Sequence, residues 1–410
     1  MSLPSKKTER AMGKDAANQL IGGEDLRQLL AVAARHAGGE LLSFQLDRVE
    51  PGADGWSATY LAEVDWPYGR RREVFGVSMD ATGIANEPGV EIFSDGDVEA
   101  ACWIYPKVPD LPGLATVAYP EAVAEMCNAQ GVFNHQVSVE ELTLTMIGYR
   151  PRRRAVVSIA TVDEAVFAKV YRVADLPHAG ERQRLLFESG LPVAQIKAAT
   201  ADGIIVSSEL KGESLAMLLP NAPISAQALV SMLDAMPVEI AWLPKRTTWV
   251  EALPYYVDVL SEILPGANPL LNELAAQIQT EMPPSRRGEE PTHGDLHAGQ
   301  ILIKDGQISG LLDPDTAGPG HRVDDLASML AHLLTTHCAS KTDESKLHDL
   351  IAGWVPVFDR RVDPLELRLR TAAVIVSLAV QPYADQTPRW QSETRWMLRK
   401  AEALARQVAC

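Results

Sequence analysis

The stretch that most constrains this chain runs from Pro291 to Ala327, PTHGDLHAGQ ILIKDGQISG LLDPDTAGPG HRVDDLA. Asp305-Gly306 separates two apolar runs, ILI and ISGLL. Glycine accepts positive φ at no steric cost, so the pair predicts a tight hairpin turn between two short strands. Ahead of the hairpin stand His293, Gly294 and Asp295, with an amide, Gln300, five positions after the aspartate. The second strand pattern ends in another carboxylate, Asp313.

At 410 residues the chain exceeds one ordinary core, and two or three domains are expected. With 46% apolar and 22% charged residues it has a globular composition. A net charge of −16 and a pI near 5.1 argue against a general nucleic-acid binder, which needs a positive surface to displace phosphate counterions. The four cysteines (Cys102, Cys127, Cys338, Cys410) form no CxxC pair, so neither a zinc site nor a disulfide framework is expected. The opening MSLPSKKTERAMGKDAANQ has no apolar core and does not read as a secretory signal. No apolar run reaches the ~18 residues that span a bilayer. The expectation is a cytoplasmic protein with no membrane partner and a disordered tail over residues 1–22.

Residues 23–134 read as a separate, mostly β module. GEDLRQLLAVAARHA has helical apolar spacing, with acidic residues first and basic residues last, as a helix dipole favours. Four alternating runs follow (LLSFQLDRVE, SATYLAEVDW, REVFGVSMD, VEAACWIYP), then a helix over AYPEAVAEMCNAQ. Trp56, Trp66 and Trp103 are expected as packing residues.

Residues 135–212 read as a small β lobe. Three strands are expected over ELTLTMIGYRPRRRAVVSIAT and AVFAKVYR, the first two joined by a turn rich in arginine (Arg150, Arg152, Arg153, Arg154). Two accounts fit those arginines: a solvated loop, or a cover over phosphates, where guanidinium offers a bidentate fork. Lys169 lies inside the third strand, on one face with Phe167 and Tyr171 and away from Ala168 and Val170. A lysine on a covered face is costly unless it meets negative charge. PHAGERQRLLFES, stopped by Gly190-Leu191-Pro192, is the next helix. It carries Glu181 and, seven residues on, Glu188, and Glu181 is the chosen partner for Lys169. AQIKAAT and IIVSSEL close the sheet, and the chain crosses out near Ser208, Glu209 and Leu210.

Residues 213–410 are expected to be helical around the one hairpin. The step of five from Asp295 to Gln300 matches the catalytic loop H-R-D-x-x-x-x-N, and an aspartate past the next hairpin is where such loops place their metal ligand. No G-x-G-x-x-G clamp and no G-x-x-x-x-G-K-[ST] loop is present.

On these residues, HGDLHAGQ and then LLDPDTAGPGHRVDDLA, the chain resembles the aminoglycoside phosphotransferase-like small-molecule kinases. The resemblance covers about Leu142 to Ala327. It implies an α+β, two-lobed protein-kinase-like fold with an N-terminal cap, and an ATP- and Mg2+-dependent enzyme acting on a small hydroxyl-bearing acceptor. Carried over, Asp295 would accept or orient the hydroxyl proton, and Asp313 and Gln300 would hold magnesium. Lys169, positioned by Glu181, would meet the α- and β-phosphates, and main chain near Ser208, Glu209 and Leu210 would meet adenine. His293 would pack the loop and Asp325 brace it, while Asp315 would share the ion or cap its turn. Gln300 stands where most of the family has Asn. HGDLH with a Gly-Gln pair is similar to the maltokinase and bacterial sugar-kinase branch, which tilts the acceptor toward a sugar or amino sugar.

Overall fold

The computed structural model describes residues 24–51, 56–79, 89–95, 98–285 and 288–407. The expected tail over 1–22 lies outside them. Two compact units emerge, each with its own core: Met1–Leu176 with Lys197–Val206 and Ala384–Pro388, and Pro177–Ile196 with Ser207–Tyr383 and Arg389–Cys410.

The first unit opens with the helix Glu24–His36, whose Leu26, Leu29, Leu30, Ala33 and Ala34 fall on one buried face. Strands β1 (Glu40–Pro51), β2 (Trp56–Trp66), β3 (Gly69–Ser78), β4 (Val90–Asp95) and β5 (Val98–Ile104) form one antiparallel sheet, in the order β1-β2-β3-β5-β4. Period-two burial of Ala58, Tyr60, Ala62 and Val64 gives β2 its covered face. Strand β4 is one more than the sequence pattern yields; VEIF is short and sits between turn residues, and its pairing with β5 is what makes it a strand. Short helices Leu114–Ala118 and Pro120–Gln130 follow.

A second five-stranded sheet comprises β6 (Thr143–Arg150), β7 (Arg154–Ala160), β8 (Ala165–Tyr171), β9 (Ile196–Ala199) and β10 (Ile204–Ser208), in the order β6-β7-β8-β10-β9. Val166, Ala168 and Val170 are buried, while Phe167 and Lys169 share the opposite, half-covered face, as alternation requires. The core beneath this sheet is not private to it. Trp103, Leu111, Leu114, Val117, Val123 and Phe133 pack with Val157, Ile159, Val166, Ala168, Val170 and Ile204 in one cluster. Packing therefore runs straight across the position near residue 134 where the sequence suggests a module boundary. Trp103 is 1% exposed and donates from Nε1 to the Tyr149 hydroxyl at 3.3 Å. Trp56 is buried too, whereas Trp66 stacks on the exposed Tyr68.

The arginine turn is committed to the same unit. Arg152, at φ +60°, donates to Asp110 at 2.9 Å and to Ser78 at 3.2 Å. Arg150 and Arg153 flank the buried Glu50 carboxylate at 3.7 and 3.9 Å, and Arg153 also reaches the Pro51 carbonyl. These three guanidiniums hold the N-terminal module, an account neither of the two sequence alternatives contained.

The second unit is mostly helical. Its core gathers Leu186 of the helix Leu176–Glu188, Leu229 and Leu233 of Ala226–Asp234, and Leu296, Ile301, Ile303 and Leu311 around the hairpin. Leu326 and Leu330 of the helix Arg322–Leu334 and Phe358 of Lys341–Arg361 complete it. The almost wholly buried helix Pro364–Leu378 packs between Arg322–Leu334 and Trp390–Arg406. No helix of the described residues is long and apolar enough to cross a membrane.

Replacing Trp103 by alanine should cost about 3–5 kcal/mol, the usual range for a buried aromatic. Urea or thermal unfolding reads this directly, and a loss below about 1 kcal/mol would show that Trp103 does not join the two sheets into one core.

Candidate active site

Strand β11 (Glu213–Ser214) pairs with β13 (Ile301–Lys304), β12 (Glu290–Thr292) with β15 (Gly318–Gly320), and β13 with β14 (Gln307–Leu311). Asp305 and Gly306 turn the β13–β14 hairpin at φ +52° and +73°, the two positive values a type I′ turn needs. The hairpin is held from behind by Leu311 N–H, which donates to the Pro192 carbonyl at 2.7 Å.

The loop from β12 to β13 is locked through its backbone. Asp325 accepts from His293 N–H at 3.1 Å and Gly294 N–H at 2.9 Å, one bond to each carboxylate oxygen. Arg322, 2% exposed, donates to the same carboxylate at 2.8 Å and to the Leu233 carbonyl at 2.8 Å. Gly294 turns at φ +84°, and a Cβ there would lie 2.6 Å from the Thr316 carbonyl oxygen, so only glycine fits. His293 is fully buried with Nε2 at 2.8 Å from the Leu312 carbonyl. A carbonyl only accepts, so Nε2 carries the proton and donates, which makes His293 a clasp on the hairpin. Its own carbonyl accepts from the Thr316 hydroxyl at 2.7 Å.

So fixed, the loop presents Asp295 half-exposed, with no hydrogen bond to its carboxylate among the described residues. The short 3-10 turn Ala298–Gln300 follows, capped by His297, whose Nδ1 accepts from Gly299 N–H at 3.0 Å. The turn delivers Gln300 to Asp313: Nε2 of the amide donates to Oδ2 at 3.1 Å, and Leu312 N–H donates to the Gln300 carbonyl at 2.7 Å. Asp313 itself sits at φ +48°, ψ +54°, a left-handed conformation uncommon outside glycine and often found where a side chain must be aimed. Gln300 and Asp313 are thus brought together, and their amide and carboxylate oxygens are hard donors of the kind a magnesium ion takes.

His332, on the helix Arg322–Leu334, stacks on His297 with ring centres 4.3 Å apart and planes 22° apart. Burial holds both imidazoles below their usual range, His332 down to about 4, against the opposing pull of the Asp295 charge. The His332 ring is therefore neutral near pH 7. Sequence pattern alone does not single out His332, which reads there as one polar position on an amphipathic helix.

The remaining expected residues lie on other elements. Lys169 belongs to β8 of the first unit, opposite Val156. Glu181 is exposed and has no ion-pair partner among the described residues, and Glu188 pairs with Arg184 at 2.6 Å. The same helix instead engages through residues the sequence did not single out. Arg182 donates to the carbonyls of Ala317 and Pro244, and the buried Gln183 donates to the Ala194 carbonyl and the Ser207 hydroxyl, each at 2.8 Å. Ser208 bonds Gln195 through both N–H and Oγ, Glu209 pairs with Lys211, and Leu210 lies just past β10.

Residues 224–363, which contain the loop, the hairpin and both histidines, match the model of a family described as the phosphotransferase enzyme family. No curated protein matches the sequence. Among solved structures, the chain is similar to a thermostable mutant of the aminoglycoside phosphotransferase APH(4)-Ia in complex with ADP and hygromycin B. Identity there is 12%, covering 65% of this chain and 95% of that one, with a TM-score of 0.48. It is also similar to an aminoglycoside-3'-phosphotransferase of type VIII, at 18% identity, 62% and 98% coverage and a TM-score of 0.43. A third is the ethanolamine kinase of Plasmodium vivax, at 12% identity, 64% and 83% coverage and a TM-score of 0.41.

Asp325→Ala removes the acceptor of two loop N–H groups and leaves Arg322 buried without its nearest carboxylate. A destabilisation of about 1–3 kcal/mol is expected by urea unfolding, since two covered N–H groups lose their acceptor while Arg322 keeps Asp234 at 3.4 Å and Glu290 at 3.9 Å. Wild-type stability in that variant would mean that Asp325 does not brace the loop.

Proposed function

We propose that this chain, which carries the phosphotransferase family pattern over residues 224–363, is an ATP- and Mg2+-dependent kinase of small molecules. It would transfer the γ-phosphoryl group to a hydroxyl of a small polar acceptor, a sugar or amino sugar before others. The observation that carries this reading is the pairing of Gln300 with Asp313 beside an unbonded Asp295 on a backbone-locked loop.

Phosphoryl transfer passes through a loose transition state, so the protein's task is positioning and charge stabilisation more than covalent chemistry. The acceptor hydroxyl donates to the Asp295 carboxylate. As the new P–O bond forms and the bond to the ADP oxygen breaks, the hydroxyl proton passes to that carboxylate. The two bonds from Asp325 matter here, because a loop that shifts by an ångström loses in-line geometry. Magnesium bound by Asp313 and Gln300 would neutralise phosphate charge. By the resemblance, Lys169 would be the lysine for the α- and β-phosphates, and the main chain near Ser208, Glu209 and Leu210 would take the adenine edge. Glu181, exposed and unpaired, is left out of the assignment.

The amide at Gln300 favours the sugar-kinase branch, while the aminoglycoside and ethanolamine enzymes among the similar structures keep an amino alcohol as the alternative acceptor. A reading of another class, a nucleotide-binding scaffold without turnover, is favoured by one observation, the lack of a glycine clamp over the phosphates. ADP release over a panel of sugars, amino sugars and aminoglycosides separates them. Asp295→Asn should lower turnover about 10²- to 10⁴-fold, the usual worth of a positioned proton acceptor, while ATP binding persists. Undiminished turnover in that variant would remove the assignment, and ATP binding without turnover of any acceptor by the wild type would favour the scaffold.

A further inference from the structure

Asp295, His297 and His332 are all partly covered, and among the described residues neither the Asp295 carboxylate nor the His332 ring makes a hydrogen bond. An Asp295 oxygen and one nitrogen from each ring lie within 4.8 Å of one another. The proton of His297 is placed by its neighbour. Its Nδ1 accepts from Gly299 N–H at 3.0 Å, so that nitrogen is bare and Nε2 carries the proton. The stack at 4.3 Å covers one face of each ring and leaves the edges. The open edge of His297 therefore carries a donor and nothing else. His332, which burial keeps uncharged near pH 7, has one donor and one acceptor. Polar groups left unmatched around one place point to a ligand that supplies their partners.

We propose that His297 and His332 select the acceptor as a vicinal diol. The reacting hydroxyl donates to Asp295, and Nε2–H of His297 donates to the oxygen on the neighbouring carbon. His332 holds the His297 ring by the stack and offers its own edge to the same oxygen. Hydroxyls on adjacent carbons sit about one hydrogen-bond length apart, so such a pair fits between the carboxylate and the imidazoles with one bond at each end. An ammonium on that neighbouring carbon fits badly, because it has donors only. It would bond Asp295 in place of the reacting hydroxyl and meet the His297 N–H donor to donor. A site built to bond a hydroxyl rejects an analogue without it, since the protein's polar group is then left unpaired. His332 comes from the helix that the Arg322–Asp325 pair ties to the loop, so both rings are placed by the brace that places Asp295. The role rests on the kinase reading and narrows its acceptor to a sugar with adjacent hydroxyls at the site of transfer.

The test measures kcat and KM of the full-length protein, with ATP and Mg2+, for hexoses and for their single-deoxy and amino-deoxy analogues. In the wild type, loss of the hydroxyl beside the phosphorylated one should lower kcat/KM at least about 10-fold, and an amine there should do the same. His297→Phe keeps a ring against His332 but has no N–H. It should raise KM for the parent sugar at least about 10-fold and abolish the penalty on the deoxy analogue, while His297→Gln, which keeps an N–H, restores part of it. Circular dichroism identifies a variant that does not fold, and Gly299→Ala then decides. Its Cβ would lie 2.7 Å from Cε1 of His297 and displace the ring, so the same loss of discrimination is expected. Undiminished discrimination in a folded variant, or equal turnover of the analogue with the neighbouring amine, overturns the diol role and leaves the kinase reading standing. Wild-type protein that phosphorylates no acceptor overturns the kinase reading, and the diol role with it.

Discussion

The structure of the second unit depends on one carboxylate with no solvent access. Asp325 gathers two backbone N–H groups of the loop and a buried guanidinium, so its charge is matched within hydrogen-bond distance on three sides. Such a group tolerates burial only while all its partners are present. The helix Arg322–Leu334, the loop after β12 and the carbonyl of Leu233 are therefore constrained together, and the position of Asp295 is inherited from that constraint. Leaving Asp295 itself unbonded is affordable because its backbone is not free to relax.

A second constraint is conformational. Asp305, Gly306, Gly294 and Asp313 all take positive φ within twenty residues of chain. Each lies where the path must reverse faster than an ordinary L-residue allows. Asp305 and Asp313 are the two that carry a side chain there, at roughly 1–3 kcal/mol of backbone strain, and Asp305 has the hairpin turn to favour it. The bond from Gln300 and the His293 clasp on the neighbouring carbonyl oppose the strain at Asp313. The longer amide suits this arrangement: Gln300 leaves a 3-10 turn and still reaches Asp313.

Much of this was legible in the sequence because it is local. Asp305-Gly306 announces its turn, Gly190 its helix stop, and alternation alone puts Lys169 and Phe167 on one face of β8. The brace by Asp325 and the packing role of His293 were read from a resemblance, and the hydrogen bonds supply their physical basis. What stayed hidden depends on contacts between distant segments. His332 is 35 residues from His297 and carries no local signal. The arginine turn is explained by Glu50 and Asp110, which lie 40 or more residues upstream. Glu181 shares a helix face with Glu188, but helical spacing says nothing about which face meets a cation. Strand β4 is too short to declare itself without its neighbour.

The cluster that joins Trp103 to Val166, Ala168 and Val170 has a dynamic consequence. Segments that share a core open together, with a common free energy, and their amides exchange with solvent as one block. The strand bearing Lys169 is therefore no looser than the N-terminal sheet, and any force felt at Lys169 is met by the resistance of β5 as well. Residues at the front of the chain act as ballast for a strand that begins more than sixty positions later.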